Sequence, residues 1–406
     1  MTATPNSDAV GQAYVEMALA IEQHQPGTID AYFGPSSWKA AAEAAGKRPL
    51  DELAARAREL AAAVSASDWE PQRKHFLSKQ VAAMQTSLRL LAGASVPFAA
   101  EVEALYDITP VRVDDAVFEE AKRELEGLLP GDGSLNERLR ALRKRFEIPL
   151  ERALELFECA KEETRARTRA LFALPAEEDV ELRLVKDKPW GAYNWYRGGH
   201  RSLIELNTDS PVHVNGMVGL LAHEGYPGHH TEHAIKEQAL YEQRGWIEAC
   251  VLLINAPECV VSEGIATSAA EAIFEEGEME QWMRAELYPR AGVQDILSLE
   301  DTLKIQRASQ VLGRVGNNAA LMIHVDGQPD DVVIEYLLRY SGRTREEAAR
   351  NIRFMKDPLF RSYIFTYSYG HDLMKALFAK YGKRAVFERA LSEPLTPSGL
   401  RAWLSA

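Results

Sequence analysis

Residues 223–230 read HEGYPGHH, which puts three histidines and an acid within eight positions. Imidazole is a common ligand of zinc, and a carboxylate next to such a ligand can serve as a general base. The regular arrangement of these groups is His-Glu-x-x-His, with two imidazoles four apart on one helix. Here Pro227 stands four after His223, and His229 and His230 follow six and seven after it. At about 3.6 residues per turn and about 1.5 Å rise, residues six apart point roughly 120° from each other. Residues seven apart face alike but sit about 10 Å apart, too far to share an ion. A straight helix through this stretch cannot make a metal site.

The intervening residues supply a remedy. Pro227 has no N–H to bond back to the His223 carbonyl, and Gly225 and Gly228 accept backbone angles that other residues resist. The segment Gly225-Tyr226-Pro227 is expected to bulge by two residues, which would return His229 to the place of the second histidine. His223 and His229 are then metal ligands. Glu224 would take a proton from the attacking water and pass it to the leaving amine. His230 joins the catalytic candidates, either behind the ligands or facing the substrate.

A catalytic zinc site needs a third protein ligand and one open position. The stretch PECVVSEGIATSAAEAIFEE (257–276) can supply it. Pro257 suits the first turn of a helix, and the small residues after Glu263 would let that helix approach another closely. Glu263 is the expected ligand, a carboxylate on a small, apolar face where only a cation offsets its burial. Glu258 and Glu271 are rivals, the latter as an outer residue orienting a ligand. Cys250 and Cys259 are read as small buried hydrophobes, since neither sits in a close Cys pair. His24, His75, His213 and His233 are read as bystanders.

HEGYPGHH resembles the His-Glu-x-x-Pro-Gly-His-His signature of the bacterial family called domain of unknown function 885, related to the zinc peptidases known as gluzincins. SEGIATSAAE is similar to that family's Glu-Gly-Trp-Ala segment. It also resembles the Asn-Glu-Gly-Phe-Ala segment of aminopeptidases related to thermolysin, whose Glu is the third zinc ligand, a role the resemblance implies for Glu263. The likeness extends more weakly from about Trp190 to Lys375. SLIELNT resembles a family strand that precedes the zinc helix, implying an edge strand able to pair with an extended substrate. TYSYG (366–370) is similar to the family's Tyr-x-x-Gly. It implies Tyr367 as the stabiliser of the tetrahedral oxyanion, with Tyr363 and Tyr369 as alternates. The family's Arg and Asp-Thr-Gly-x-His pattern is only partly kept: Arg314 and His324 are present, but Asn318 stands where the Asp would be. The resemblance assigns no role to Asn318 or His324.

These groups need a scaffold, and the 406 residues suffice for a large core. Lys and Arg total 47 against 60 Asp and Glu, a net charge of −13 that argues against a nucleic-acid or anionic-membrane surface. No stretch approaches the roughly 18 apolar residues of a membrane span. MTATPNSDAVGQAYVEM shows no signal-peptide pattern. Three cysteines fit a reducing compartment, so a cytoplasmic location is expected.

Helical periodicity fills the first 175 residues, for example in LDELAARARELAAAVSA, with breakers at FGPSS, LPGDGS and LPAEED. VELRLV (180–185) and SLIELN (202–207) alternate as strands do. Helical pattern then returns to the end of the chain, with stops at Gly245, Gly277 and 327–331. The expected fold is mainly α, a large helical body with a small β-hairpin or edge sheet beside the active-site helix. The expected division is a helical region 1–175 and a catalytic region 176–406, joined in one continuous body.

The expected function is zinc-dependent hydrolysis of short peptides, with exopeptidase action. It would be of carboxypeptidase type if Arg314, Arg353 or Arg361 holds the substrate's terminal carboxylate. Zinc hydrolysis of a non-peptide amide and a non-catalytic, metal-stabilised helical binding module are the alternatives. The expected partner is a short peptide or amide, with no nucleic acid and no membrane.

Overall fold

The computed structural model describes residues 9–188, 190–294 and 297–406. The fold is mainly α with two small sheets. Segments with apolar spacing of three and four become helices that bury that stripe. Leu50–Ala66 buries Leu53, Ala57, Leu60 and Val64, and Asp115–Leu128 buries Phe118, Ala121 and Leu125. Local chemistry sets several starts: Asp114 caps the second of these helices, and Ser134 with Glu137 and Thr344 with Glu347 close capping boxes on two others.

Strands β1 (Ile29–Tyr32) and β5 (Val251–Leu253) pair antiparallel. Strands β2 (Asp179–Val185), β3 (Ala192–Tyr196) and β4 (Arg201–Asn207) form a second sheet in the order β2-β4-β3. β4 runs parallel to β2 and antiparallel to β3. The expected small hairpin or sheet is a sheet, because the segment between the two alternating runs holds a third strand, and one expectation changes with it. SLIELN is the central strand, with both flanks occupied by β2 and β3, and cannot add a substrate strand to itself. The consecutive buried residues Ser202, Leu203 and Ile204 suit that inner place. The first 175 residues also contain β1, a strand too short for its alternation to be read.

Three large hydrophobic clusters build most of the interior, and one helix touches all three. At the Pro257–Ile273 helix, Ala256 belongs to the cluster of the N-terminal helices. Val260 belongs to the cluster around Tyr363 and Phe365. Val261 and Ile265 belong to the cluster around Tyr226 and Met374. A helix buried on all sides presents little polar stripe, so any carboxylate on it is held in the interior. Among the described residues, no helix is long and apolar enough to cross a membrane.

Candidate metal centre

The motif breaks into two helices, Met217–Glu224 and His229–Lys236. Between them the hydrogen-bond ladder stretches by two residues. Gly228 N–H donates to Ala222 O at 2.9 Å and Thr231 N–H to Gly225 O at 3.3 Å, each spanning six positions instead of four. Four-residue spacing resumes with Glu232 N–H donating to Gly228 O at 2.9 Å. Gly228 is required sterically: a Cβ there would lie 1.8 Å from the His223 carbonyl oxygen.

The bulge brings the His223 and His229 rings to a centroid distance of 4.9 Å, nearly perpendicular to each other. Glu263 completes the group. Its Oε2 lies 3.6 Å from His223 Nε2, and its Oε1 lies 3.8 Å from His229 Nε2. One ligand atom from each of the three residues falls within 4.8 Å of the others. Glu258 is instead paired with Lys236 at 3.0 Å, and Glu271 with His371 at 3.1 Å.

The helix of Glu263 reaches this position because it crosses the helix Phe365–Tyr381 at near-backbone contact. A Cβ on Gly264 would lie 2.8 Å from Gly370 O, and one on Gly370 would lie 2.3 Å from Val260 O. That crossing also delivers the tyrosines. Tyr363 donates to Glu263 Oε1 at 2.5 Å. The Tyr367 ring packs edge-on against Tyr363 at 5.5 Å and remains 37% exposed. Tyr369 is elsewhere, donating to Thr109 O and accepting from Val111 N–H.

The donor set fits a cation. Glu263 is 3% exposed, and its Oε2 has no hydrogen-bond partner among the described residues. A buried carboxylate oxygen left bare is costly unless a cation meets it. Burial, with a smaller opposing effect from its bond to the Ala266 backbone, lowers His223 to about 4. Burial and the neighbouring His223 push His229 down as well. Both rings are therefore neutral, as metal ligation requires. Burial raises Glu263 to about 8, with Tyr363 opposing and the Glu224 and Asp30 charges adding. Glu224 is also raised to about 8, by burial and then by Asp30, against a hydrogen bond from the Asn194 backbone. The Asn194 amide further donates to Glu224 O at 2.5 Å, so β3 fixes the end of the helix that carries the acid.

Behind the ligands, His229 Nδ1 meets Ser262 Oγ at 3.1 Å, and that hydroxyl donates to Glu232 Oε2 at 2.5 Å. Lys236 then bridges Glu232 and Glu258 at 2.8 and 3.0 Å. Such partners fix the orientation of a ligating imidazole.

His230 does not join the His223–His229–Glu263 group. It is 0% exposed, with Nδ1 2.9 Å from Ser202 Oγ and Nε2 3.2 Å from Glu178 Oε2. Neighbours seven apart on a bulged pair of helices cannot both point at one ion, and this ring turns to the sheet instead. His324 bonds the Met355 carbonyl at 2.6 Å and stacks on Phe98. Asn318 clamps the Val113 backbone through both N–H and C=O. Arg314 pairs with Asp372, and Arg361 grips Glu101 through two guanidinium nitrogens. Arg353 lines a groove with Asp330 and Lys356.

Sequence reasoning did not find Asp30, Tyr193, Asn194 or Ser262. Ser262 is adjacent to a named residue and could have been flagged. The other three come from short strands whose proximity to the motif is a tertiary fact.

No protein-family model matches the chain, and no curated protein matches it. Solved structures do. A protein from Colwellia psychrerythraea, provisionally a lipoprotein, overlaps at a TM-score of 0.54 with 16% identity, covering 87% of this chain and 66% of its own. A Shewanella oneidensis protein of unknown function, also provisionally a lipoprotein, overlaps at 0.52 with 12% identity, covering 98% and 82%. The chain thus spans just under two thirds of the Colwellia protein and most of the Shewanella one. These two share its fold. A metallocarboxypeptidase from Trypanosoma cruzi matches at 13% identity over 98% of this chain and 90% of its own, with a TM-score of 0.40, too loose an overlap to carry weight.

Proposed function

We propose that the protein is a zinc-dependent metallohydrolase that cleaves peptide bonds in short peptides. The observation that carries this reading is the convergence of His223, His229 and Glu263, with Glu263 Oε2 buried and unpartnered beside them. Two neutral imidazoles and one carboxylate form a tridentate set that suits zinc and leaves a position open. Zinc held there would supply Lewis acidity toward a carbonyl oxygen and a water.

The chain's own groups supply the rest. Glu224, adjacent to the first ligand and anchored by Asn194, would take a proton from the attacking water and deliver it to the leaving nitrogen, the positive charge of a bound cation drawing down a carboxyl that burial otherwise raises to about 8. Tyr363 holds Glu263 by its hydroxyl, which orients the carboxylate. Tyr367 is the exposed member of the tyrosine pair, and its phenol carries a proton at neutral pH. It is the donor that stabilises the oxyanion of the tetrahedral intermediate. His230 is a structural member of the Glu178–Ser202 network and takes no part in the reaction.

Metal analysis of purified protein tests this directly. About one zinc per chain is expected, lost in His223→Ala and His229→Ala. Full occupancy in both variants would end the reading.

A further inference from the structure

The bulge that turns His229 toward His223 forgoes regular four-residue hydrogen bonds. Pro227 and the glycines beside it permit such a break, but glycine accepts many backbone conformations and selects none. A contact from outside the two helices is needed to choose one shape.

Glu178, the residue before β2, makes that contact. Its Oε2 accepts from the Tyr226 hydroxyl and lies 3.2 Å from His230 Nε2. Tyr226 lies inside the bulge and His230 directly follows His229, so one carboxylate oxygen holds the chain on both sides of the ligand. The two rings are fully buried and pack edge to face at 4.9 Å. With His230 Nε2–H donating to Glu178, Nδ1 is left to accept the Ser202 hydroxyl on β4, and one neutral tautomer serves both contacts.

The carboxylate is itself fixed. Its Oε1 accepts from Arg165 Nε at 3.0 Å and from Arg169 at 2.6 Å, both on the helix Leu150–Leu171. Arg165 also donates to the Glu178 backbone carbonyl at 2.9 Å. Two guanidinium groups offset the cost of burying the charge. A neutral amide could not replace it: it has a single accepting oxygen, whereas Glu178 accepts from the arginines on one oxygen and from the bulge on the other.

We propose that Glu178 is a positioning residue of the metal centre: by holding Tyr226 and His230 together, it fixes the bulge that presents His229 to the ion. The inference rests on the metallohydrolase reading for the ion, while its claim about the bulge concerns the protein alone. Glu178, Tyr226 and His230 act through His229 and touch no reacting atom.

Tyr226→Phe keeps the ring and removes the hydroxyl that reaches Glu178. Tyr340→Phe is its control, removing a bond of the same kind, to Glu119 at 2.7 Å, in a different hydrophobic cluster. Zinc affinity is read by competition with a chelator, and ligand geometry by the visible absorption of the cobalt-substituted proteins. Hydrogen exchange of residues 225–232 is followed in the proteins as purified. Tyr226→Phe should bind zinc about 10- to 100-fold more weakly, the effect of losing a partner behind the ligands, with a changed cobalt spectrum and faster exchange. Tyr340→Phe should match the wild type in all three. Glu178→Gln should reproduce the Tyr226→Phe changes, and the double variant should lose little more, because both substitutions break one contact. Wild-type affinity, spectrum and exchange in Tyr226→Phe overturn the proposal, and so does an equal effect in Tyr340→Phe. Wild-type protein that takes up no zinc ends the metallohydrolase reading instead. Exchange then decides the bulge: faster in Tyr226→Phe and Glu178→Gln alone, the clamp stands; unchanged, it falls.

Discussion

At the scale of single residues, the proposed mechanism gives three side chains near the candidate centre separable parts. Glu224 is beside a ligand but outside the donor set, so Glu224→Gln should keep its zinc and lose about 10²- to 10⁴-fold in kcat, the span for a general base. Retained turnover would refute its role. Tyr367→Phe removes a hydroxyl and keeps the ring against Tyr363. Turnover is expected to fall about 10²-fold with zinc content and KM nearly unchanged, because the proposed donor would act on charge that develops in the transition state. His230 shows how adjacent histidines diverge: rotated from His229 by one helical step, it is sealed against Glu178 and Ser202. The bulge singled out His229 for the cluster, and packing placed His230 against the sheet.

At the scale of elements, the two-residue bulge and the close helix crossing set the site's geometry. Gly228→Ala would push a methyl into the His223 carbonyl, and zinc binding should be lost together with part of the helix register. Gly264→Ala would force the tyrosine helix away from Glu263. Overpacking of this kind costs about 1–3 kcal/mol, measurable as a lower denaturation midpoint, and should also weaken zinc binding. A Gly264→Ala protein with native stability and zinc affinity would show that the crossing is not needed. Ser262→Ala leaves the ligands in place but frees His229 Nδ1, and a 10- to 100-fold loss of zinc affinity, roughly the effect of other outer partners, is expected by competition with a chelator.

At the scale of the whole molecule, the helix of Glu263 joins three hydrophobic clusters, so charge at the site bears on global stability. Zinc at roughly 1,000 times its dissociation constant should stabilise the fold by about 4 kcal/mol, seen as a higher melting temperature that a chelator reverses. The acid limb has a different source. Burial alone would raise Glu178, but hydrogen bonds from His230 and Tyr226 and the Arg165 charge outweigh it and hold the carboxyl at about 2. A carboxyl depressed in the native state stabilises it above the ordinary carboxylate range and loses that contribution as pH falls toward the native value. Stability should therefore decline between about pH 4.5 and 2, and more shallowly in Glu178→Gln. Equal slopes in the two proteins would assign the acid limb to other groups.

The sequence alone determined the local part. Helix periodicity, the two alternating strands and the Pro-Gly interruption are set by neighbours a few residues apart, and steric and hydrogen-bonding rules at that range can be read from the order of residues. That is why the mainly α fold and the two-residue bulge were legible. Pairing of β2 with β4 across an inserted strand, the docking of Glu263 against His223, and the arrival of Asp30 and Tyr193 join segments tens to hundreds of residues apart. Only the tertiary structure decided these, because burial and backbone contact between distant segments depend on how the whole chain packs.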